Sequence, residues 1–304
     1  MSRPSAARAT LFILGAACCF GSVAVLTELA KRGGATLTTA LFWRYLVGGA
    51  LLALAAGGVR RGWIGGRAGA RALLLGGTGQ AVIAYMSLAA LDYVPAATLA
   101  FLFYTYPSWV AAIAVLRGSE RVDATRAAAL VLSLGGIALM VGSPWSAALD
   151  PVGVALALGS ALLYALYIPL IGWLSAGRDP AALSAHIALG VAVLLGVAGL
   201  ADGELTGRLS MQSWLAVAGL AVVSTAIAFV LFLRGLAVLG PVRTAIVSTV
   251  EPFWTAVLAV VALGQPFRLA TLAGGAMIAA AVLLLQRRPA PGRPEPVGGG
   301  AGAG

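Results

Sequence analysis

The sequence predicts an all-α membrane protein with ten transmembrane helices in two inverted five-helix repeats. Its 304 residues are 61% hydrophobic and only 10% charged, whereas a soluble globular chain carries about 25% charged residues. Ten apolar stretches approach the roughly 20 residues that a membrane-spanning helix needs. Two of these stretches resemble each other in sequence, which indicates an internal duplication.

The predicted spans follow one another with short connections. They lie near residues 9–30, 37–57, 72–91, 96–116, 126–143, 152–174, 182–201, 213–233, 242–263 and 269–286. The 40 glycines are compatible with this assignment, because small residues let transmembrane helices approach closely. The segment 289–304 is rich in Pro and Gly, so we expect a disordered cytoplasmic tail there.

The positively charged residues predict the orientation, because cytoplasmic loops carry an excess of Arg and Lys. With the N-terminus inside, the opposite side receives only Lys31, Arg32, Arg208 and Arg268. The cytoplasmic side receives Arg3, Arg8, Arg60, Arg61, Arg67, Arg71, Arg117, Arg121, Arg126, Arg178, Arg287, Arg288 and Arg293. We therefore expect a multi-pass protein of the plasma membrane, the inner membrane of a bacterium, with both termini in the cytoplasm.

The duplication is visible without a gap when residues 91–115 are aligned with 236–260. Pro107 then coincides with Pro252, and Trp109 with Trp254. The predicted repeats are 1–147 and 148–288, with five spans each. An odd number of spans makes the second repeat start on the opposite side of the membrane. Inverted repeats with a site between them near the midplane are typical of transporters.

Charged and polar residues inside spans are costly, so they are candidates for function. Thr244, Ser248, Glu251 and Thr255 recur at helical spacing in span nine and share one face. Under the repeat, Ser248 and Glu251 correspond to Phe103 and Tyr106. We expect Glu251 either to line a cavity or to act as a hydrogen-bonded strut between helices. In a cavity it would contact an amine or carry a proton.

The remaining candidates complete a predicted substrate cavity between the repeats. Its residues are Gln80, Tyr85, Phe103, Tyr106, Tyr164, Thr225, Ser248 and Glu251. Under the same repeat offset of 145 residues, Gln80 corresponds to Thr225. A cavity lined by aromatic side chains suits flat or apolar organic solutes. Pro107 and Pro252 each remove a backbone donor inside a span, so we expect paired helix kinks. Glu28 and Arg44 form a candidate outer gate by pairing, with contact of Glu28 to Lys31 or water as the alternative.

The chain resembles the EamA-type ten-span permeases of the drug/metabolite transporter superfamily. The resemblance includes Phe20-Gly21-Ser22, Phe42-Trp43-Arg44-Tyr45, 89–107 with Gly118-Ser119-Glu120-Arg121, and 236–252 with Gly264-Gln265-Pro266. It covers nearly the whole chain except the tail, although Gln265 stands where the family often has Glu. The resemblance implies alternating access and, in many members, export of amino acids or other metabolites.

The predicted function is therefore a secondary transporter, an exporter of small organic metabolites such as aromatic or hydrophobic amino acids. Import or exchange of another metabolite or drug is the alternative, followed by a membrane-embedded enzyme. The chain has one His and shows no HExxH or G-x-S-x-G motif, so we expect neither an enzyme nor a cofactor or metal. The expected partners are a small-molecule substrate and the lipid bilayer, without nucleic acid, and a monomer suffices for this function.

Overall fold

The first half of the chain forms five helices. The computed structural model describes residues 5–58, 63–90, 93–94, 96–119, 122–141, 150–264 and 269–286. The first-half helices are α1 (Ala6–Arg32), α2 (Leu37–Ala55), α3 (66–89), α4 (96–116) and α5 (Ala124–Val141). Helix α3 joins Gly66–Arg71, a π-helical segment Ala72–Gly76, and Gly77–Ala89. Helix α4 consists of Ala96–Phe103 and Tyr106–Leu116.

The second half forms five more helices. They are α6 (Pro151–Ser175), α7 (Pro180–Ala201), α8 (211–239), α9 (241–263) and α10 (Leu269–Gln286). Helix α8 begins with Met211–Ala221 and the π-helical segment Val222–Ile227. The following stretch, Ala228–Ser248, is interrupted at Gly240, whose φ of 74° and ψ of 171° are not helical, and this separates α8 from α9. Helix α9 resumes after Thr249 as Val250–Leu263.

The lengths of these helices agree with a membrane-spanning bundle. Six helices of the described residues are long and apolar enough to cross a membrane: Ala6–Arg32, Leu37–Ala55, Leu99–Leu116, Pro151–Ser175, Pro180–Ala201 and Met211–Ser248. Shorter apolar helices are Ala124–Met140, Val250–Leu263 and Leu269–Leu285. The chain is therefore an all-α membrane protein, as its composition predicts.

Two predicted boundaries are wrong for the same physical reason. Span three begins at Gly66 rather than at 72, and span eight continues to 239 rather than ending at 233. The helices include Arg71 and Arg234, whose exposed side chains allow the backbone to remain helical at the end of an apolar run. A hydropathy scan stops at such residues because it measures side-chain polarity and not backbone conformation.

Each helix of one half packs against helices of the other half, and the equivalent helix makes the reciprocal contact, as two inverted repeats require. Helix α1 packs against α8 and α9, and its counterpart α6 packs against α3 and α4. Helix α2 pairs with its own counterpart α7, and α5 pairs with α10. The α5–α10 approach depends on Gly136 and Gly274, because a Cβ on either would collide with the carbonyl oxygen of the other. Small residues thus allow a close contact between helices of the two halves.

Several predicted features lie outside the described residues. They are the repeat boundary at 147/148, the tail at 289–304, Glu120, Gln265, Pro266, Arg268 and the cytoplasmic residues Arg3, Arg60, Arg61, Arg121, Arg287, Arg288 and Arg293. The orientation of the two termini stays a prediction from the sequence.

Candidate functional site

The helices that contain Pro107 and Pro252 are both interrupted just before the proline. In α4 the first helix ends at Phe103 and the next begins at Tyr106. In α9 the corresponding break falls at Thr249, directly after Ser248. Proline lacks an N–H, so Pro107 and Pro252 leave the carbonyls of Phe103 and Ser248, four residues earlier, without their helical donors. The helical segments end at these two residues, and so the repeat is visible in the backbone.

Glu251 lies on the first turn after the break in α9, beside polar groups from two other helices. The Tyr104 hydroxyl of α4 is in hydrogen-bonding contact with the Glu251 carboxyl. The positive charge of Arg44 in α2 also acts on this carboxyl, without a direct ion pair in the described part of the chain. Glu251 as a whole residue is half-buried beside these groups.

A close approach of α1 holds the backbone of α9 at this point. A Cβ on Gly21 would lie 2.9 Å from the carbonyl oxygen of Glu251. The Thr255 hydroxyl lies 2.9 Å from the Gly21 carbonyl oxygen and donates to it. Thr255 therefore faces α1. Thr244 lies before the helix break and is fully buried, so the predicted polar face is divided between two helical segments.

Aromatic rings from α4 and α6 form a layer next to Glu251. The Tyr106 ring lies 4.8 Å from that of Tyr164 and 5.7 Å from that of Phe103, measured between centroids. The Tyr106 hydroxyl donates to the Ala245 carbonyl at 3.4 Å and also interacts with the Ser248 hydroxyl. Tyr106 and Glu251 occupy equivalent positions in the two repeats and lie in the same cluster, one as an aromatic and the other as an acidic residue.

A cavity of about 40 Å³ lies beside this layer, between the two halves. It is lined by Phe20, Gln80, Tyr164, Tyr167, Ile171, Ser184, Ile187, Phe229, Phe232 and Leu233. These residues come from α1 and α3 of the first half and from α6, α7 and α8 of the second. A single buried water needs roughly 10–15 Å³ on this kind of measure, so the cavity has room for water-sized groups only.

Arg44 is buried at the interface of the halves and bonds to the π-helical segment of α8. Its Nε donates to the Thr225 hydroxyl at 2.9 Å, and its Nη2 donates to the Ser224 carbonyl at 3.0 Å. The guanidinium also lies over the Tyr45 ring, 4.8 Å from its centroid. Buried charges persist when hydrogen bonds compensate for lost hydration, and here the π-helical segment supplies both acceptors.

The predicted outer gate is wrong as an ion pair. Glu28 pairs with Arg32 at 3.0 Å on the exposed side of α1, while Arg44 is engaged by α8. The spacing of four residues on one helix makes the Arg32 pairing local. Arg44, with an exposed fraction of 5%, has its hydrogen bonds on the side of the second half.

The π-helical segment of α3 is contacted in an equivalent way from the other half. The Tyr167 hydroxyl of α6 donates to the Gly76 carbonyl at 2.8 Å. A Cβ on Gly190 would collide with Leu73 and Gly77, and one on Gly48 would collide with Ala221 and Thr225. This packing matches Thr225 with Gly77 and Ser224 with Gly76, so the predicted match of Gln80 with Thr225 is wrong. The residues matched in α8 are 148 positions apart, whereas the alignment of 91–115 with 236–260 has an offset of 145. Helix α8 is therefore shifted by three residues.

The predicted cavity residues divide into three groups. Gln80 and Tyr164 line the cavity, and Phe103, Tyr106, Ser248 and Glu251 form the adjoining cluster. Tyr85 is wrong as a lining residue, because its ring points away from the bundle and is 69% exposed. Thr225 is fully buried and does not line the cavity, since its hydroxyl is bonded to Arg44 and to the Leu220 carbonyl.

Sequence reasoning missed several residues of the site. Tyr104 was not predicted because it lies within the helix break and therefore leaves the helical face of Phe103 and Tyr106. The lining residues Phe229, Phe232 and Leu233 could have been found from their helical spacing on α8. Ser184 gives a weaker signal as a single hydroxyl in an apolar run, yet it is fully buried at the cavity.

The paired breaks lead to an expected result for the prolines. Pro107→Ala and Pro252→Ala restore the missing donors, so both variants should straighten their helices and slow transport while remaining folded. Pro169→Ala is the matched control, because Pro169 lies inside α6 without interrupting it. The measurement is the initial transport rate in proteoliposomes at equal amounts of folded protein. Parental rates in both variants would show that the breaks are incidental to transport.

Comparison with known proteins identifies the kind of molecule to which this site belongs. The profile of the EamA-like transporter family matches residues 7–142 and again residues 151–287. An uncharacterized transporter from Archaeoglobus fulgidus is 33% identical over 201 residues, which cover 66% of this chain and 70% of that protein. A solved structure, described only as the crystal structure of a protein, superposes with a TM-score of 0.77 at 19% identity. The superposition covers 94% of this chain and 99% of the solved one. At 19% identity it supports the fold alone.

Proposed function

Because the chain belongs to the EamA-like transporter family, and is a membrane transporter of small molecules rather than an enzyme, we propose the class of solute and the manner of transport. The protein exports small organic metabolites such as aromatic or hydrophobic amino acids. Export proceeds by alternating access through the cavity between the two repeats. The observation that carries this proposal is the aromatic lining of a cavity to which both halves contribute.

The chemistry of the site supports an amphipathic organic solute. The rings of Phe20, Phe229 and Phe232 and the phenols of Tyr164 and Tyr167 offer flat apolar surfaces. Glu251 and Arg44, near this lining, provide charges of opposite sign for the ammonium and carboxylate groups of an amino acid. An ion would need repeated polar ligands instead, and the lining is mostly apolar.

Closure at one end of the bundle supports alternating access. At the predicted outer end, the Thr39 hydroxyl donates to the Glu204 carbonyl at 2.7 Å, and the Trp43 indole donates to the Thr206 carbonyl at 2.9 Å. The Ser213 hydroxyl donates to the Ala30 carbonyl at 2.8 Å, and a further bond joins Ser210 to Gly33. These hydrogen bonds all connect the first half to the second. They close the bundle on the side away from Ile171 and Ser184 of the cavity.

The small volume of the cavity also requires a conformational change. Ligand pockets for organic molecules are usually about 300–1,000 Å³, whereas this cavity has about 40 Å³. A metabolite therefore enters only when helices of the two halves separate. Rocking of one repeat against the other around a fixed site provides this separation in transporters with inverted repeats. A narrow channel would carry solute without such a separation of the two halves.

The test is transport by the purified chain in proteoliposomes. Counterflow with a panel of labelled metabolites that includes aromatic, aliphatic and charged amino acids should show saturable exchange of at least one hydrophobic amino acid. Recovery of the solute chemically unchanged would agree with a transporter. Flux that rises linearly with concentration would contradict a carrier mechanism. Absence of exchange across the amino-acid group, with transport of another class, would overturn the substrate assignment and favour an importer or exchanger of that class.

A further inference from the structure

Most of the side chains that line the cavity are apolar or aromatic, and the two exceptions are Ser184 on α7 and Gln80 on α3. The side-chain nitrogen of Gln80 lies 3.5 Å from the Tyr45 hydroxyl. The Tyr167 hydroxyl is bonded to Gly76. The Ser184 hydroxyl is completely buried and has no hydrogen-bond partner. An orphan hydroxyl at a cavity is a group to which a ligand can bind.

Two other buried serines within helices, and one partly buried serine, behave differently. Ser133, Ser160 and the partly buried Ser175 each donate to a carbonyl three residues earlier in their own helix, at 2.8–2.9 Å. This local bond is the usual way in which a serine inside a helix satisfies its hydroxyl. Ser184 does not make it, so its hydroxyl remains available. Leaving such a group without a partner away from water is unfavourable, which gives a bound polar atom a direct energetic advantage.

We propose that Ser184 determines substrate specificity by hydrogen-bonding the polar end of a ring or side chain that enters the cavity. The inference rests on the proposed function and deepens it. The transporter then prefers an aromatic amino acid that carries a hydroxyl or N–H group over the same ring without one. The neighbouring Tyr164, Phe229 and Ile187 provide the apolar surface for the rest of the ring.

Discrimination of this kind is strong because it penalises the wrong solute. A bare ring excludes water from Ser184 and leaves the hydroxyl unpaired, whereas a phenol or indole supplies the missing partner. Sites that hydrogen-bond a substrate hydroxyl reject the analogue without it far better than apolar pockets distinguish solutes by size. The present cavity of about 40 Å³ accommodates a water or the polar tip alone. The ring itself occupies the site in the widened state of the transport cycle.

The first experiment measures tyrosine and phenylalanine transport by counterflow in the parental protein and in Ser184→Ala. The parental protein should favour tyrosine, and the ratio of tyrosine to phenylalanine transport should fall about tenfold in the variant, mainly through slower tyrosine transport. Ser133→Ala is the matched control, because it removes a buried hydroxyl of α5 that is bonded within its own helix. Its ratio should equal the parental one. A Ser184→Ala ratio within about twofold of the parental one, well inside the tenfold loss that a hydrogen bond implies, overturns the inference.

A second measurement separates this inference from the proposed function. If neither amino acid is transported by the parental protein, the aromatic part of the proposed substrate class is wrong, and binding of ring fragments then decides the role of Ser184. Para-cresol should raise the thermal unfolding temperature of the parental protein more than that of Ser184→Ala. Toluene, which lacks the hydroxyl, should shift both proteins alike. Equal shifts by para-cresol in the two proteins overturn the Ser184 inference whatever the transported solute is.

Discussion

A Glu251→Gln variant should still exchange substrate for substrate but should fail to accumulate substrate in response to a pH gradient. The amide keeps the shape of the side chain and its hydrogen bond with Tyr104, but it cannot bind and release a proton. Glu251 contacts Tyr104 and experiences the charge of Arg44; in the proposed mechanism a proton and the amine of the substrate would compete for this carboxylate. Gradient-driven uptake should fall to the level of equilibration, while counterflow continues.

Glu28→Gln is the matched control for this variant. It removes a carboxylate from the exposed side of α1 that is paired with Arg32 and lies outside the site, so both exchange and accumulation should remain. Full gradient-driven accumulation by Glu251→Gln would eliminate a proton-carrying role for Glu251. A variant that fails to fold would instead identify this carboxyl as a strut between α4 and α9.

Replacement of Arg44 should lower the free energy of unfolding more than replacement of the exposed Arg32. Arg44→Met keeps the unbranched apolar stem of the side chain but removes the donors to the Thr225 hydroxyl and the Ser224 carbonyl. Hydrogen bonds from a charged group contribute about 1.5–3 kcal/mol each, so the free energy of unfolding should fall by ~3 kcal/mol once the cost of burying the charge is subtracted. Arg44→Lys should recover only part of this loss, because an ammonium cannot reproduce the planar fork of the guanidinium.

The measurement is thermal or denaturant unfolding of the purified protein in detergent. Arg32→Met provides the comparison, because the exposed pair of Arg32 with Glu28 contributes no more than about 1 kcal/mol. If Arg44→Met were as stable as the parental protein, the contacts with α8 would contribute nothing to the interface of the halves. In that case the role of Arg44 would be confined to the charge that it presents to Glu251.

The sequence alone was sufficient for the helices and for one central acidic residue. Hydropathy and charge are local properties, so the spans and the unusual position of Glu251 could be recognised without knowledge of the packing. The hydrogen-bond partner of Arg44 could not be recognised in this way, because Thr225 lies 181 residues away in the chain. The sequence instead suggests Glu28 as the partner, because both charges lie toward the outer ends of their spans. The three-residue shift of α8 is equally invisible, since the aligned region begins only at residue 236.

The two π-helical segments also show that equivalent positions of the two repeats are stabilised by chemically different donors. The carbonyl of Ser224 is held by a cation from the first repeat, whereas the equivalent carbonyl of Gly76 is held by a phenol from the second. Each half therefore holds the π-helical segment of the other, but with a donor of a different kind. A substitution at Arg44 or at Tyr167 consequently loosens one side of the interface and leaves the other side as it was.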